Sequence, residues 1–413
     1  MSSTVNTRAP ALALCALALT ALSLPATAAD FITSSRTIAG GNPMNGNYSG
    51  QPILVGASGV FNGEVTRVPN VRVDIVAPAQ LNFSDATGGY LAAYSNSVVR
   101  MQGGSAGTAS IFANVSRFTQ YDTSQFELTG GSLAGITLNG TAAGAAGARA
   151  TVAGGVMQSF AGIVAYVTNG TLAVTGGSIL ATGTNVQPGI QGDQGSVIAV
   201  SGGTVQSASG AAAYIHFNSA FSMTGGTLTG GTGGGAQWGL QLANTSTPAS
   251  VTGGTLNGGL RADAAGSTPR LQATLGGNAT VNGGVFAYGG GAVDVTGGSY
   301  TRFAGADASF FAMGTNSINF FGTGLVLSGA TAGSVFETNN YLGNFYTFTA
   351  GTFSDGQSAV GVRLFDAVSV AGNLLGGGFT LNPSPVPEPA SALLMLLALP
   401  AVTALVRRRQ RVA

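Results

Sequence analysis

A glycine-centred block of residues recurs along this chain of 413 residues. In each copy, large apolar residues stand four and two positions before a glycine, usually in a Thr-Gly-Gly or Ser-Gly-Gly triplet, and another apolar residue stands three positions after it. The clearest copies are Phe126, Leu128, Gly130 and Leu133; Leu172, Val174, Gly176 and Ile179; Ile198, Val200, Gly202 and Val205; Phe221, Met223, Gly225 and Leu228; and Val293, Val295, Gly297 and Tyr300. Most steps between copies are about 22–28 residues, a period typical of repeat arrays.

The spacing inside each block predicts β-strands. Apolar side chains at every second residue lie on one side of a strand, and that side faces the interior. Paired glycines suit a bend because they reach positive φ without a Cβ clash. One corner per repeat predicts an all-β fold, a right-handed parallel β-helix in which each repeat forms one turn. The signature of leucine-rich repeats is missing, and a propeller blade needs about 40 residues.

Weaker copies extend the array. Copies that begin with alanine are centred on Gly154, Gly253 and Gly283, and the last of these falls unevenly between its neighbours at Gly253 and Gly297. Degenerate copies follow at Gly322, Gly351 and Gly372. We therefore expect repeats over residues 103–380, preceded at 30–102 by an N-terminal cap with the first irregular turns, because terminal repeats are atypical.

Composition excludes several kinds of function. Residues 30–385 contain ten arginines, no lysine and thirteen Asp plus Glu, which gives a formal charge of 10 − 13 = −3. Nucleic-acid binding needs a basic surface, so no nucleic acid is expected as a partner. The single cysteine, Cys15, lies in the N-terminal apolar stretch. A mature chain without it has neither a disulfide nor a thiolate metal site.

Residues 1–29 have the order of a secretory signal peptide. Arg8 supplies the positive charge, an apolar run follows, and Ala26, Ala28 and Ala29 form a small-residue cleavage site. At the other end, residues 381–389 form a Pro-rich linker that an enzyme could reach. Residues 390–406 are an apolar stretch at the lower limit for a transmembrane helix. Residues 407–413 are a basic tail expected to stay in the cytoplasm.

This C-terminal segment resembles the PEP-CTERM sorting signal of exported proteins of Gram-negative bacteria. The resemblance is confined to the chain from Val386 onwards and rests on three elements in order: the motif Val386, Pro387, Glu388 and Pro389; the apolar segment; and the basic residues Arg407, Arg408, Arg409 and Arg411. Pro400 inside the apolar segment departs from the pattern. The resemblance implies export, transient anchoring in the inner membrane and processing by an exosortase after signal peptidase has acted. An ordinary tail anchor is the alternative. The repeat body, in turn, resembles the β-helical passengers of autotransporters.

The body offers few residues for catalysis. His216 is the only histidine, and we interpret it as a surface or inter-turn residue, since one histidine builds neither a zinc site nor a triad alone. Asp193 is interpreted as a turn residue, and Asp294, Asp307 and Asp355 are likewise scattered singly. The sequence thus predicts no catalytic residue, no metal and no cofactor. Five aromatic residues could stack on sugars or fill the core, and we favour the core: Tyr214, Trp238, Tyr288, Tyr300 and Tyr346.

Together these features predict a non-enzymatic structural protein of the cell surface or extracellular matrix of a Gram-negative bacterium, associated with extracellular polysaccharide or biofilm. Two alternatives remain open. One is a polysaccharide-active β-helix enzyme, a lyase or a hydrolase, and the other is a glycan-binding adhesin.

Overall fold

The computed structural model describes residues 30–40, 53–56, 58–61, 64–67, 70–76, 80–81, 91–106, 118–140, 147–185, 187–232, 238–245, 247–265, 270–303, 307–313, 316–328, 331–335, 341–367 and 378–383. Three groups of predicted functional residues lie outside these ranges and stay predictions. They are the cleavage-site residues Ala26, Ala28 and Ala29; the motif Val386, Pro387, Glu388 and Pro389; and the basic residues Arg407, Arg408, Arg409 and Arg411. The predicted transmembrane segment 390–406 also lies outside them.

The described residues form only β-strands and their connections. The strands before the first clear repeat are β1 (Asp30–Ile32), β2 (Arg36–Ile38), β3 (Ile53–Val55), β4 (Ser58–Phe61), β5 (Glu64–Arg67), β6 (Arg72–Ile75), β7 (Gln80–Leu81), β8 (Leu91–Ala93), β9 (Val98–Met101), β10 (Ser105–Ala106) and β11 (Phe118–Tyr121).

The central strands are β12 (Gln125–Leu128), β13 (Ser132–Leu133), β14 (Ile136–Asn139), β15 (Arg149–Val152), β16 (Val156–Ser159), β17 (Ala165–Thr168), β18 (Thr171–Val174), β19 (Ser178–Ala181), β20 (Ile190–Asp193), β21 (Val197–Val200), β22 (Thr204–Ser207), β23 (Ala213–His216), β24 (Ala220–Thr229), β25 (Leu240–Ala243), β26 (Ala249–Asn257), β27 (Leu260–Asp263), β28 (Arg270–Leu275) and β29 (Thr280–Asn282). The last strands are β30 (Val285–Tyr288), β31 (Gly291–Val295), β32 (Ser299–Tyr300), β33 (Phe310–Met313), β34 (Ser317–Leu327), β35 (Thr331–Val335), β36 (Tyr341–Phe353), β37 (Arg363–Ala367) and β38 (Gly378–Pro383).

The strands pair in parallel, turn upon turn, into three stacks of a β-solenoid of about nine regular turns. The first stack contains β1, β3, β8, β11, β14, β17, β20, β23, β25, β27, β30, β33 and β37. The second contains β2, β6, β9, β12, β15, β18, β21, β24, β26, β28, β31, β34 and β38. The third contains β7, β10, β13, β16, β19, β22, the second halves of β24 and β26, β29 and β32. The prediction of a parallel β-solenoid is confirmed. No helix of the described part is long and apolar enough to cross a membrane.

The core lies between the three stacks. Apolar side chains at alternate positions point inward, as in β18, where Leu172 and Val174 are fully buried, and the same positions of β21 place Ile198 and Val200 next to them. Each such side chain contributes roughly 1.5–3 kcal/mol through burial. Because every turn repeats the pattern, the buried side chains form one continuous cluster along the solenoid.

The two glycines of each corner differ in backbone conformation. The second adopts positive φ, as at Gly177 (φ 67°) and Gly203 (φ 71°), which is the role predicted from the sequence. The first has an ordinary φ but leaves no room for a side chain. A Cβ at Gly202 would lie 2.3 Å from the carbonyl oxygen of Thr175 in the preceding turn. A Cβ at Gly203 would likewise lie 2.6 Å from the carbonyl oxygen of Gly176, so the close approach of successive corners excludes a larger residue at both positions.

Two assignments of the repeat template are wrong. The copy centred on Gly283 is out of phase: the corner of that turn is at Gly276 and Gly277, and Gly283 instead links β29 of the third stack to β30 of the first. The copy centred on Gly351 is not a solenoid turn, because β36 pairs antiparallel with β34, β35 and β37. Tyr346 and Phe348 nevertheless pack against the core, as their apolar spacing suggests.

Additional strands modify both ends of the solenoid. The antiparallel hairpin β4–β5 is inserted between β3 and β6. At the other end, Phe345 of β36 packs on the outer side of the first stack, in a separate apolar cluster with Phe286, Phe311 and Phe365. At the N-terminal end, Leu54 and Ala92 are buried on the same outer side. The outer side of the first stack is thus apolar at both ends and polar between them.

Candidate binding face

Two rows of outward side chains run along the middle of the first stack, on five strands from β17 to β27. Parallel in-register pairing places each side chain beside its counterpart in the next turn, about 4.8 Å away. One row contains Tyr166, Gln191, Tyr214, Gln241 and Arg261, and the other contains Thr168, Asp193, His216, Ala243 and Asp263. We call these ten residues the polar face.

Asp193 is the most connected residue of the polar face. Its Oδ2 accepts hydrogen bonds from Gln191 Nε2 at 2.9 Å and from the Tyr166 hydroxyl at 3.2 Å. His216 Nδ1 lies 3.3 Å from Asp193 Oδ1. That contact has the distance of an ion pair but not the geometry of a hydrogen bond, so Oδ1 is a buried acceptor without a hydrogen bond among the described residues. The carboxylate thus joins three successive turns.

Arg261 and Asp263 form a second polar group three turns after Asp193. Arg261 Nε contacts both carboxylate oxygens of Asp263, at 2.8 and 2.9 Å. The guanidinium carbon lies 5.2 Å from the ring centroid of Tyr288 and 6.0 Å from that of Trp238, within range of a cation–π interaction. Burial raises the pKa of Asp263, while Arg261 and a hydrogen bond from Gln241 act in the opposite direction.

Tyr214 lies between the two carboxylates. Its ring stacks on that of His216, with the centroids 5.3 Å apart. Burial raises the pKa of the phenol first, and the negative charges of Asp193 and Asp263 raise it further, against the opposing charge of Arg261. At neutral pH the Tyr214 hydroxyl therefore remains protonated and can donate a hydrogen bond. These interactions link Tyr214 electrostatically to Asp193, Asp263 and Arg261.

Ala243 interrupts the second row between His216 and Asp263. Its neighbours on either side carry polar side chains, and the alanine itself is only 8% exposed. The Cα atoms of His216 and Asp263 are two strand spacings apart, roughly 10 Å. Ala243 thus leaves the second row without a polar side chain between His216 and Asp263.

The spacing of the acids limits the chemistry of this face. Asp193 and Asp263 are three strands apart in the same row, roughly 14 Å. Paired-acid glycoside hydrolysis places its carboxyl groups about 5–9.5 Å apart, so these two residues do not form such a pair. Within the described ranges, no group of three or more His, Cys, Asp or Glu residues could hold a metal ion. The arrangement is better suited to hydrogen bonding and stacking.

The residues singled out from the sequence separate into two sets. His216 contacts Asp193 of the neighbouring turn and is an inter-turn residue, as predicted. Asp193 was predicted to be a turn residue, but it is the last residue of β20 and is buried in the polar face. Among the aromatic residues, Tyr300 and Tyr346 pack against the core and Trp238 against the outer apolar cluster. Tyr214 and Tyr288 lie on the outer side of the first stack, where the preference for the core is wrong.

The remaining single acids have structural partners. Asp294 accepts a hydrogen bond from Asn319 in the next turn, at 2.8 Å. Asp307 forms ion pairs with Arg302 and Arg363. Asp355 accepts from the backbone N–H groups of Gly298 and Gln357, at 2.9 and 3.0 Å, and so ties the C-terminal antiparallel segment to a solenoid corner.

Sequence reasoning did not identify Gln241, Arg261 and Asp263. Their positions could have identified them. Each is an outward position on a strand of the first stack, and most outward positions on the other strands of this stack hold small or apolar residues. Comparisons of the chain with protein-family models, with curated proteins and with solved structures found no match.

Proposed function

We propose that this protein is an exported, non-enzymatic β-solenoid of the bacterial cell surface or extracellular matrix that associates with polysaccharide. The proposal includes a right-handed winding, the hand that parallel β-crossovers strongly favour. It also includes removal of residues 1–29, a transmembrane segment at 390–406, transient anchoring in the inner membrane and processing by an exosortase at the PEP-CTERM-like motif.

The polar face is the observation that carries the proposal. It offers hydroxyl, amide, carboxylate and aromatic groups over five successive turns, all fixed on strands of a rigid scaffold. Extended polymers of repeated hydroxyl-rich units can use such groups in series, because each turn adds another set of contacts at a constant spacing. Structural proteins of a polysaccharide matrix need binding of this kind and no reaction.

Mass spectrometry of the mature protein from its own host tests the sorting part. We expect the C-terminal peptide to end near Pro387 to Pro389. An intact peptide that runs through Val412 and Ala413 on abundant surface protein would contradict sorting. Sedimentation of the protein with polysaccharide purified from the same host tests the association, and failure to co-sediment would contradict it.

A polysaccharide-active enzyme is the second candidate, and the contact between Asp193 and His216 favours it. An acid beside Nδ1 can orient an imidazole for proton transfer. Assays for new reducing ends and for unsaturated products, on acidic and neutral polysaccharides, separate the candidates. Turnover that disappears in His216→Ala would replace the structural proposal with the enzymatic one.

A further inference from the structure

The third stack ends earlier than the other two. After the turn that contains β32, the first stack continues with β33 and β37 and the second with β34 and β38. Among the described strands, β32 pairs only with β29. A cavity of about 330 Å³ lies at this end of the stack, lined mainly by residues 298–302 and by residues of the β36–β37 connection between 357 and 362. Its volume is within the range of ligand-binding cavities, about 300–1,000 Å³.

One edge of β32 is open towards this cavity. The Thr301 N–H donates to the carbonyl of Val281 in β29, at 3.0 Å. The Ser299 N–H donates to the carbonyl of Ala279 in the same preceding turn, at 2.8 Å. Because successive backbone groups of a strand point to opposite sides, the N–H and C=O groups of Tyr300, which lines the cavity, point away from β29. No hydrogen bond joins these two groups to another of the described residues, so an extended segment can pair with this edge by strand addition.

The cavity also presents a guanidinium group with spare donors. Arg302 lines the cavity, and its side chain is 58% exposed. Its ion-pair partner among the described residues is Asp307, which also pairs with Arg363. The carboxylate of Asp355 is engaged separately, by two backbone N–H groups of the cavity wall. A guanidinium group has five N–H donors, so Arg302 can bind a second carboxylate.

The chain that follows β38 begins near this cavity. In the turn that ends at β32, the second-stack strand β31 leads through Gly297 and Gly298 into the third stack. The last described strand of the second stack is β38, and its final residue Pro383 pairs with Gly322 of β34. Residues 384–389 lie outside the described ranges. They therefore have the position in the sequence that a third-stack strand has in the regular turns.

This segment has the backbone of a strand that pairs on one side only. Prolines alternate in it with other residues: Ser384, Pro385, Val386, Pro387, Glu388 and Pro389. Proline has no N–H donor, and alternate residues of an extended chain direct their N–H groups to the same side. Ser384, Val386 and Glu388 therefore offer all the donors of the segment to one neighbour, while the prolines suit only an outer edge. Such a strand closes a sheet, because no further strand can pair with it.

The segment is long enough to reach the open edge. The turn of β38 lies two strand spacings beyond the turn of β32, roughly 10 Å. Four residues of extended chain span up to about 14 Å, so Pro387 and Glu388 can enter the cavity from Pro383. At that position the Glu388 carboxylate has Arg302 within reach.

We propose that residues 384–389 of the same chain add a strand to the open edge of β32 inside this cavity. Their N–H groups pair with the Tyr300 carbonyl, their prolines pack against Val360 of the opposite wall, and the Glu388 carboxylate binds Arg302. This docking does not depend on export. A second part rests on the proposed sorting: the docked strand shields the processing motif from its enzyme until the strand is released.

Disulfide cross-linking of the full chain, purified in detergent with Cys15→Ser, tests the docking. Ser358→Cys places a thiol in the cavity wall, and Val386→Cys or Glu388→Cys places one in the segment. Ser178→Cys, on the third stack five strands before β32, is the matched control for Ser358→Cys. We expect an intramolecular disulfide in most of the protein for at least one cavity pair and for neither control pair. Its absence from both cavity pairs, or disulfides only between two molecules, would overturn docking within one chain.

Cleavage of the segment by a proline-specific endoprotease gives an independent readout. A paired strand is cut when it opens, so the cleavage rate follows the open population. Val360→Asp places a negative charge on the wall that faces Glu388, and Val326→Asp makes the same change at a valine that is 50% exposed outside the cavity. We expect Val360→Asp to raise cleavage between residues 383 and 389 at least about fivefold and Val326→Asp to change it less than about twofold. An unchanged rate in Val360→Asp would contradict the docking.

Experiments in the protein's own host separate this inference from the proposed sorting. If docking, shielding and sorting are all correct, pulse-labelled Val360→Asp loses its C-terminal tail sooner than the unchanged protein does. If the cross-link forms and the tail is lost at an unchanged rate, the docking stands and the shielding is wrong. If the cross-link forms and the tail is never removed, the docking stands and the proposed sorting is wrong.

Discussion

At the scale of single residues, the glycine corners show two separate restrictions within one dipeptide. The preceding turn lies too close for a side chain at either glycine, and the second glycine is needed for its backbone conformation as well. The sequence indicated the conformational restriction, since paired glycines are a common solution to sharp bends. Steric exclusion at the first position could not be predicted, because it depends on how closely two residues in successive turns approach each other.

Alanine substitution can separate the two restrictions. A Cβ at Gly202 would clash with the Thr175 carbonyl oxygen, whereas Gly356 has positive φ (87°) but nothing within 4 Å of its Cβ position. We expect Gly356→Ala to cost about 1 kcal/mol of unfolding free energy and Gly202→Ala about 2–3 kcal/mol, the upper part of the range for overpacked cores. Urea denaturation measures both. Equal losses would mean that the preceding turn moves aside and that the close approach at Gly202 is not what requires a glycine there.

Tyr300 gives a prediction about alkaline pH. Its ring packs against the core and contacts Phe310, its hydroxyl donates to the carbonyl of Gly297, and burial together with Asp355 raises the pKa of the phenol. A group whose pKa is higher in the folded state contributes stability that is complete below its unfolded pKa, about 10. That contribution is lost as the pH rises from there towards the folded pKa.

Tyr300→Phe removes both the hydrogen bond and the ionisation. At neutral pH we expect the variant to be less stable by about 1 kcal/mol, and at about pH 11 we expect the difference to shrink or reverse. Urea denaturation at both pH values checks this, with Tyr288→Phe as a control for loss of a phenol on the outer surface. A difference that grows with pH would contradict the assignment.

At the scale of strands, lateral polar contacts reinforce the stacks where apolar packing ends. On the third stack, Asn257 Nδ2 donates to Thr229 Oγ1 at 3.2 Å and Asn282 Nδ2 donates to Asn257 Oδ1 at 3.0 Å. Thr301 extends this row by a contact of 3.4 Å to Asn282. Rows of like amides between stacked strands are a recurrent stabilising feature of cross-β assemblies.

Asn257→Ala breaks two of these contacts at once. Each hydrogen bond contributes about 0.5–1.5 kcal/mol, so we expect a loss of roughly 1–2 kcal/mol in unfolding free energy. Gln206→Ala is the control, because Gln206 occupies the same row two turns earlier and is exposed. If the two variants lose equal stability, the row contributes through strand propensity and not through its hydrogen bonds.

At the scale of the whole molecule, the sequence predicted the architecture better than the site. Alternating apolar residues identified the strands, and the glycine pairs identified most corners. One corner was wrongly placed at Gly283 because Ala279, Val281 and Phe286 have the spacing around this glycine that apolar residues have around a true corner. Only the pairing of strands with the neighbouring turns distinguishes a true corner from another glycine with the same apolar pattern around it. The polar face was missed for the same reason: Asp193 and Asp263 are far apart in sequence, and loop lengths decide that they share a row.

Each turn pairs only with the turns before and after it, and this predicts how far the effect of a local defect spreads. In a repeat array, stability is a sum of turn and interface terms, so Gly202→Ala should increase amide hydrogen exchange in β21, β22 and the adjoining turns. Protection in β30 and β31 should stay within about twofold of the unchanged protein, because local openings need not involve distant turns. Exchange mass spectrometry measures both regions. An equal loss of protection along the whole chain would indicate a single cooperative unit.

The hairpin β4–β5 shows what this construction permits over evolutionary time. It adds the segment from Ser58 to Arg67 between β3 and β6, and both flanking strands still pair with their neighbours in the next turn. Lineages could therefore lengthen or exchange such an excursion while the strand stacks and the polar face are inherited unchanged. The solenoid would then stay constant while the outer surface formed by the hairpin diversifies. A foreign peptide inserted between Phe61 and Glu64 should accordingly be displayed without loss of the solenoid.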